Sequence, residues 1–419
     1  MRCEFLHLSD AHLGYQQYGH PERFNDFGRA FLAAIDYAVE HKMDFALVSG
    51  DLFHKSAIDP PTLLQAVNGL DRLRQAGIPV VAVMGNHDRP RYRDRFSWLD
   101  YLAERGYLAL LSPNFEETGL HLLPWDGSEG AYTDIKGVRI YGLPYLGAST
   151  RKILEELPRT LANQSMEGIK FTVLMGHFGL EGEMPGVPGG LPHNHVAPLA
   201  EFVDYLALGH WHKPFEKEGW IYNPGSLETC AMDECRWHGG FYHVTVDTQG
   251  ESKHIAKHIK THRRPFHRAV FPVDEYTTLE ALYDGLRKRL GKERSAMRSG
   301  DLDPVVEISL EGVLAFDRGA LDMEHVRELI DEIVSPLITR PKNNTRPTEF
   351  EISPEERLPR TELERQVLQD LIRRDSRYRN QTERWANLVG EVKAMALTDS
   401  PPEAIVTTMR QQIAGMNEE

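Results

Sequence analysis

Residues 4–12 read Glu-Phe-Leu-His-Leu-Ser-Asp-Ala-His, a largely apolar run that ends in an aspartate and a histidine two residues apart. Such a run is typical of a buried strand, and the loop that leaves it carries Asp10 and His12. Four further apolar runs end in the same way, at Gly50-Asp51, Gly85-Asn86-His87-Asp88, Gly176-His177 and Gly209-His210-Trp211-His212. We therefore expect carboxylate, amide and imidazole side chains to collect along one edge of a sheet.

The strands predicted before these loops span residues 4–8, 45–48, 80–84, 171–175 and 205–208. Helical stretches at 29–40, 61–75 and 96–104 alternate with strands, and the alternation continues to about residue 262. Alternating strands and helices indicate a layered α/β architecture. The segment 182–198 is rich in Gly, Pro and His, so we expect it to lack regular structure and to overhang the metal-binding loops.

The chain changes in character after a polar break at 261–265. We predict three domains, at residues 1–262, 263–355 and 356–419. The second is a small α+β capping domain with strands at 266–273, 304–310 and 336–339 and helices at 277–290 and 322–334. In the third, apolar residues recur at helical spacing, which fits either an ordinary helical cap or an arm that docks on a partner.

The composition is that of a folded protein without disulfides or membrane-spanning segments. The 419 residues are 41% hydrophobic, which is usual for a folded protein with a substantial core. Three cysteines offer no disulfide framework, so we interpret them as packing residues in a reducing compartment. No signal peptide and no apolar run of membrane-spanning length is evident, which predicts a cytoplasmic protein with no membrane partner.

A formal net charge of −14 argues against a protein that holds nucleic acid by global positive charge. Local basic stretches after residue 262 could still follow a phosphate backbone, although solvated helix surface explains such stretches equally well. These stretches comprise Arg263, Arg264 and Arg268, then Arg287, Lys288, Arg289, Lys292, Arg294 and Arg298, and finally Arg340, Lys342 and Arg346.

The five loops together offer nitrogen and oxygen ligands without sulfur. Such a set suits manganese, iron or zinc rather than calcium, with Asp51 as the natural bridging ligand. Two-metal hydrolytic sites hold their ions about 3.5–4 Å apart, generate hydroxide from water and stabilise the attacking and leaving oxygens. Phosphate esters are therefore the expected substrates.

The five motifs, in this order, resemble the calcineurin-type metallophosphoesterase superfamily over roughly residues 1–262. Within it, His-Leu-Ser-Asp-Ala-His-Leu-Gly-Tyr at 7–15, Glu22-Arg23 and Gly50-Asp51-Leu52-Phe53-His54 are similar to the nuclease subunit of the double-strand-break repair nuclease–ATPase complex, called SbcD in bacteria. The resemblance implies a layered β-sandwich core flanked by helices. It also implies two metal ions: Asp10, His12, Asp51 and His212 bind one, and Asp51, Asn86, His177 and His210 bind the other.

Three further residues gain catalytic roles from this resemblance. His87 faces the scissile phosphate, where an imidazolium can stabilise developing charge and assist the leaving oxygen. Asp88 is expected to orient His87, because a carboxylate commonly fixes a histidine tautomer. His54 is expected to guide the substrate strand.

The resemblance implies a manganese-dependent DNA 3′–5′ exonuclease and endonuclease that acts on duplex ends, hairpins and single strands, with the second domain binding DNA. It further implies a homodimer, an SbcC-type P-loop ATPase partner with a coiled coil, and a place at the nucleoid. Two alternatives stay open. One is a nucleotide phosphodiesterase or phosphatase that uses the same two metals, and the other is a scaffold with a vestigial site.

Overall fold

The structure is a computed structural model that describes residues 1–90, 94–116, 119–183, 190–298, 300–347, 360–373, 375, 377–398 and 401–416. It divides into two compact units, Met1–Phe266 and His267–Glu419. In these described ranges, no helix combines the length and the apolar character that crossing a membrane requires. The finer division of the chain into three domains stays a prediction.

The first unit alternates strands with helices, as its sequence predicts. Its helices are α1 (Pro21–Glu40), α2 (Pro60–Gln75), α3 (Trp98–Glu104), α4 (Thr150–Ala162) and α5 (His193–Val196). Its strands are β1 (Arg2–Leu8), β2 (Phe45–Ser49), β3 (Val80–Val83), β4 (Ala109–Leu110), β5 (Asn114–Glu116), β6 (Gly119–His121), β7 (Tyr132–Ile135), β8 (Val138–Leu143), β9 (Phe171–His177), β10 (Tyr205–Gly209), β11 (Phe215–Lys217), β12 (Ile221–Asn223), β13 (Gly240–Asp247) and β14 (His254–Lys260).

Two six-stranded sheets form the centre of this unit. The first has the order β14-β13-β1-β2-β3-β4 and the second the order β11-β12-β10-β9-β8-β7. The strands that precede the metal-binding loops pair in parallel, β1 with β2, β2 with β3, and β9 with β10. Because parallel strands end at the same edge of a sheet, the loops that follow them lie side by side.

The two sheets pack face to face through aromatic and aliphatic side chains. Phe5 and Phe45 stack with ring centroids 4.8 Å apart, and Tyr205 of the second sheet meets Phe5 edge to face at 5.4 Å. Each buried side chain of this size contributes about 1.5–3 kcal/mol. Helices α1, α2 and α3 cover the outer face of the first sheet, and α4 covers that of the second. The predicted layered β-sandwich flanked by helices is confirmed.

The start of one helix and the structure of one segment in the first unit differ from the prediction. Helix α1 begins at Pro21, eight residues before the predicted start, because His20 caps it by accepting the Glu22 N–H and Pro21 occupies the first turn. The segment 182–198 is not wholly irregular, since α5 and a 3-10 segment at Ala197–Glu201 follow Pro192. Residues 184–189 of that segment lie outside the described residues.

The second unit follows the predicted order of strands and helices. Strands β15 (Phe266–Pro272), β16 (Val305–Leu314) and β17 (Ile338–Pro347) form a sheet in that order, and helices α6 (Leu279–Met297) and α7 (Met323–Val334) pack on it through a core that includes Leu286 and Leu329. Strand β17 is longer than predicted because it pairs with β16 over ten residues. Helices α8 (Arg360–Arg373), α9 (Thr382–Leu397) and α10 (Pro402–Met416) complete the unit.

Candidate metal centre

The predicted metal ligands all lie at the carboxyl ends of strands in the two sheets. Asp10 and His12 follow β1, Asp51 follows β2, and Asn86 follows β3. The second sheet supplies His177 at the end of β9 and the pair His210 and His212 after β10. Backbone hydrogen bonds of 3.1 Å tie the loops together, from the Asp10 N–H to the Gly50 carbonyl and from the His12 N–H to the Asp51 carbonyl. The sandwich therefore brings ligands from distant parts of the chain to one place.

Glycines allow the loops to approach this closely. A Cβ atom at Gly50 would lie 2.2 Å from His177 Nδ1, and one at Gly85 would lie 2.1 Å from Asp51 Oδ1. Neither approach is possible for a residue with a side chain. Each Gly that precedes a ligand in the sequence motifs at 50 and 85 is thus a packing requirement of the metal centre.

Four ligand residues adopt the left-handed backbone conformation that favours glycine. The φ angles are 52° at Asp10, 47° at His12, 52° at Asp51 and 89° at His210. Such conformations cost about 1–3 kcal/mol for a residue other than glycine and collect at functional sites. Nothing in the sequence pattern predicts them.

His177 lies at the centre of one half of the site. Its Nδ1–H donates to the Ser49 carbonyl oxygen at 2.7 Å, so its Nε2 faces two oxygen atoms, Asp51 Oδ2 and Asn86 Oδ1, each at 3.2 Å. Asn86 Oδ1 also lies 2.9 Å from His210 Nδ1. The Nε2–H of a protonated His177 can donate to these oxygens, and when the ring is neutral a cation among them would take the place of that proton.

The pKa values of His177 and Asp51 show that this position favours positive charge. Burial alone would lower the pKa of His177, but the neighbouring Asp51 carboxylate and Asp10 raise it to about 9. Burial would likewise raise the pKa of Asp51, yet His177 and His12 hold it well below its usual range. This half of the site therefore favours a deprotonated Asp51 beside a positive charge. Either a protonated His177 or a bound metal ion can supply that charge.

The other half of the site contains Asp10, His12 and His212. The Nε2 atoms of the two histidines lie 3.0 Å apart, and Asp10 Oδ1 lies 4.0 Å from His12 Nε2 and 3.7 Å from His212 Nε2. Asp10 is fully buried, and its Oδ1 accepts no hydrogen bond. A buried carboxylate oxygen without a partner is costly, and a metal ion would satisfy it together with both imidazole nitrogens. The donor set of each half therefore fits a divalent transition metal.

Glu234 is a functional residue that sequence analysis missed. Its Oε1 lies 2.7 Å from His212 Nδ1, so it fixes the ring with Nε2 directed at Asp10. Carboxylates commonly hold metal-binding histidines in this way. Because Glu234 lies in a 3-10 segment at Met232–Arg236, far from any predicted strand end, its sequence position carries no signal of this role.

Cys230 lies beside the same histidines. Sequence analysis excluded sulfur from the site and interpreted the cysteines as packing residues. The structure instead places one ligand atom each of His12, His212 and Cys230 within 4.8 Å of one another.

His87 and His54 line an open pocket of about 610 Å³ next to the metal ligands. The backbone N–H of His87 donates to Asp51 Oδ1 at 2.8 Å. The Nδ1 atom of the His87 ring donates to the His54 carbonyl oxygen at 2.7 Å, so the other ring nitrogen, Nε2, takes no part in that hydrogen bond. The His54 ring stacks on Tyr15 with centroids 3.7 Å apart. Burial and then His87 lower the pKa of His54 to about 4, so its ring is neutral at pH 7.

Sequence comparison identifies the family to which this arrangement belongs. The calcineurin-like phosphoesterase family matches residues 4–214, a region that contains all seven predicted metal ligands and His87. The chain belongs to the calcineurin-like phosphoesterase family. The metallophosphoesterase assignment made from the five motifs is confirmed, and members of this family use divalent metals.

Among curated members of this phosphoesterase family, several relatives are DNA double-strand break repair proteins named Mre11. The protein from Archaeoglobus fulgidus is 48% identical over 243 residues, which cover 55% of this chain and 51% of the relative. The one from Aeropyrum pernix is 29% identical over 313 residues, 73% of this chain and 72% of the relative. The one from Thermoplasma acidophilum is 26% identical over 348 residues, 80% and 82% of the two chains. The predicted similarity to this repair-nuclease family is confirmed.

The role predicted for Asp88 in this phosphoesterase site is wrong in one respect. The Asp88 carboxylate does not orient His87, whose ring is held by the His54 carbonyl. It accepts instead the N–H groups of Phe53 and Gly85, each at 3.0 Å. Burial and the nearby Asp51 charge raise the pKa of Asp88 to about 7, although the hydrogen bonds from these two N–H groups lower it. Asp88 therefore joins the loop after β2 to the loop after β3.

Replacing Asp88 by alanine should lower the free energy of unfolding, because two buried N–H groups lose their acceptor. The expected cost is about 1–3 kcal/mol for each N–H. Asp88→Asn keeps one acceptor oxygen and should cost less. As a control, Asp126 accepts the Ser128 and Glu129 N–H groups at an exposed turn, where water can replace it. Urea unfolding of the three variants tests this, and equal stability of Asp88→Ala and Asp126→Ala would contradict it.

The arginines expected to follow DNA at the domain boundary are engaged inside the first unit. Arg264 is 4% exposed and donates to both oxygens of Asp26, at 2.6 and 2.9 Å. Arg263 donates to the Leu227 carbonyl and to Ser226. The prediction that these two residues track a phosphate backbone is therefore wrong, because both guanidinium groups form hydrogen bonds inside the first unit.

The basic residues of the second unit are also largely paired with acids. Arg268, Arg340 and Lys342 all contact Glu307, which is fully buried. On α6, Arg287 pairs with Glu332, Arg289 with Glu293, and Arg298 with Asp303. The exposed ion pairs among these are weak and can exchange partners, so a DNA surface on this unit stays a prediction.

Proposed function

We propose that this chain is a two-metal DNA nuclease that cleaves phosphodiester bonds at broken ends. One observation carries the proposal: seven nitrogen and oxygen ligands from both sheets converge beside His87 at the rim of an open pocket. The relatives named as DNA double-strand break repair proteins support DNA as the substrate. The coarser conclusion, a metal-dependent phosphoesterase, follows from the family alone.

Two ions would be held by the ligands in two overlapping sets. Asp10, His12, Asp51 and His212 would hold one, and Asp51, Asn86, His177 and His210 would hold the other. When bound, the metals supply an activated water and neutralise charge on the reacting phosphate. Manganese is our proposed metal, as the resemblance implies, and the three carboxylate and amide oxygens among the seven ligands suit it.

The side chains that line the pocket would bind and orient the substrate. With Nδ1 donating to the His54 carbonyl, the His87 ring is held so that Nε2, when the ring is protonated to imidazolium, can donate to a phosphate oxygen or to the departing sugar oxygen. The stacked rings of Tyr15 and His54 form an aromatic wall that can guide the nucleic-acid strand toward the ligands. Asp88 would act indirectly, by fixing the loops that carry His54 and His87.

The finer features of the activity belong to the same proposal. We propose 3′–5′ exonuclease and endonuclease action on duplex ends, hairpins and single strands, in a cytoplasmic homodimer associated with the nucleoid. The capping domain at 263–355 would bind DNA. The helical region at 356–419 would dock on a P-loop ATPase of the SbcC type that has a coiled coil.

The docking proposal predicts that polar substitutions on the C-terminal helices weaken the complex. Leu371, Val389 and Met409 are exposed by 52%, 40% and 37%, a pattern suited to a partner helix. Changing all three to Glu should reduce ATPase binding by at least about tenfold, since each burial is worth about 1.5–3 kcal/mol. Manganese-dependent cleavage by the chain alone should be unchanged.

Met166 of the first unit, which is 42% exposed, provides a matched control. Met166→Glu introduces one such negative charge on another surface, as each of the three single substitutions does, and should leave ATPase binding intact. Co-sedimentation of each variant with the ATPase gives the measurement. Full binding by the triple variant would refute the docking surface.

The decisive experiment for the function is cleavage of end-labelled linear duplex DNA by the purified chain. We expect shortened products with manganese, none with a chelator, and far slower product formation by the His87→Ala variant. If the chain hydrolyses small nucleotide phosphodiesters but leaves linear duplex intact at every manganese concentration, it is a nucleotide phosphodiesterase instead.

A further inference from the structure

A cysteine beside the proposed metal ligands has no place in the nitrogen and oxygen set described above. Cys230 follows β12, in the loop before the 3-10 segment that carries Glu234. Its sulfur, with one ring nitrogen each of His12 and His212, completes a group of three ligand atoms that lie within 4.8 Å of one another. These distances allow the three atoms to contact a single cation.

The backbone of Cys230 is held by hydrogen bonds on both sides of the residue. The Cys230 N–H donates to Glu234 Oε2 at 2.7 Å, and the Cys230 carbonyl accepts from Gln17 Nε2 at 2.7 Å. The other oxygen of the same carboxylate, Glu234 Oε1, holds the His212 ring at 2.7 Å. One buried carboxylate therefore holds both the His212 imidazole and the backbone that carries the Cys230 thiol. The thiol itself makes a weak hydrogen bond, to the Glu228 carbonyl at 3.5 Å.

A buried carboxylate oxygen without a hydrogen-bond partner lies next to the same two histidines. Asp10 Oδ1 is buried, accepts no hydrogen bond and lies 3.7 Å from His212 Nε2. A negatively charged oxygen in this position lacks a partner unless a cation binds. The sulfur thus lies beside ring nitrogens that already converge on an unsatisfied carboxylate.

We propose that Cys230 is a sulfur ligand that lets thiophilic divalent ions bind at this half of the site. Zn²⁺ or Co²⁺ would bind the Cys230 sulfur, His12 and His212, a mixture of sulfur and nitrogen that zinc favours. Mn²⁺, which prefers oxygen and nitrogen, would use the same site without the sulfur. This inference rests on the proposed two-metal site and adds to it a residue that controls which metal is bound.

Cobalt spectroscopy tests the sulfur directly and does not depend on activity. The metal-free full-length chain is titrated with Co²⁺, and the near-ultraviolet sulfur-to-cobalt charge-transfer band is recorded beside the visible bands of bound cobalt. We expect both sets of bands in the wild-type chain. Cys230→Ser should lose the charge-transfer band and keep the visible ones.

Cys235 supplies the matched control, since it is exposed on the same 3-10 segment. Cys235→Ser should retain the charge-transfer band. Competition titrations add a second measurement: Cys230→Ser and Cys230→Ala should each lower Zn²⁺ affinity by about tenfold or more, with much less effect on Mn²⁺. Thermal unfolding of both variants shows whether the fold is retained.

Bound cobalt without a charge-transfer band in the wild-type chain would overturn this inference and leave the two-metal site standing. The same holds if the band persists in Cys230→Ser, or if Zn²⁺ affinity is equal in all variants. A wild-type chain that binds no cobalt, manganese or zinc would overturn both the inference and the proposed nuclease.

Discussion

Replacing His87 by alanine should lower the rate of DNA cleavage by about 10²–10⁴-fold, the usual contribution of a positioned acid or base. The loss is expected because the His87 ring reaches the pocket but does not belong to the proposed ligand set. The backbone N–H of residue 87, which bonds to Asp51 Oδ1 at 2.8 Å, is unaffected by the substitution. Metal binding and DNA binding should therefore persist within about threefold, as expected for an interaction made only in the transition state.

Three measurements distinguish this role from a structural one. Single-turnover cleavage gives the chemical rate, elemental analysis gives the metal content, and fluorescence anisotropy gives DNA affinity. His41→Ala, which removes an exposed histidine from the C-terminal end of α1, is the matched control and should behave as the wild-type chain does. If His87→Ala instead loses its metal, the residue is a ligand and the role proposed for it is incorrect.

Replacing Asp51 by asparagine should have the second large effect, because this carboxylate is shared by both proposed metal sets. The variant keeps the size of the side chain but removes the charge. Bound metals stabilise transition-state charge by several kcal/mol, so losing them should reduce cleavage by about 10³-fold or more. Elemental analysis after dialysis against manganese should find fewer than two ions per chain.

Asp71→Asn provides the control for Asp51→Asn, since Asp71 lies on the solvent side of α2 and pairs with Arg74. That change should leave metal content and cleavage as they are in the wild-type chain. Far-ultraviolet circular dichroism of both variants checks that the sandwich is formed. Two tightly bound manganese ions in Asp51→Asn would show that Asp51 does not bridge them.

The convergence of the proposed metal ligands could be predicted from sequence because each lies shortly after an apolar run. Parallel strands end at one edge, so an Asp or His just after each run is brought close to the others without any knowledge of the sheet order. Glu234 and Cys230 could not be predicted in this way, since they lie after β12 in a segment without an apolar run. The Ser49 carbonyl that orients His177 is a backbone group, which no residue pattern can indicate.

Burial of charged residues was the other feature that sequence could not predict. Arg264 looks like part of a basic surface stretch, but its partner Asp26 is 238 residues away in the chain. Asp26 also accepts from Arg23, a fully buried arginine that contacts Glu228 as well. Only the fold brings these residues together. The Asp88 carboxylate is similar, since its donors lie on two loops whose spacing depends on the sheet.

The left-handed backbone at Asp10, His12, Asp51 and His210 lowers the stability of the folded protein at residues that the proposed function needs. Glycine adopts that conformation without penalty, so a chain selected for durability alone would carry glycine at these positions. Glycine has no side-chain atom with which to bind a cation, so the proposed metal site needs the conformationally unfavourable residues. Engineers who seek a more heat-resistant variant should therefore look for improvements elsewhere in the chain.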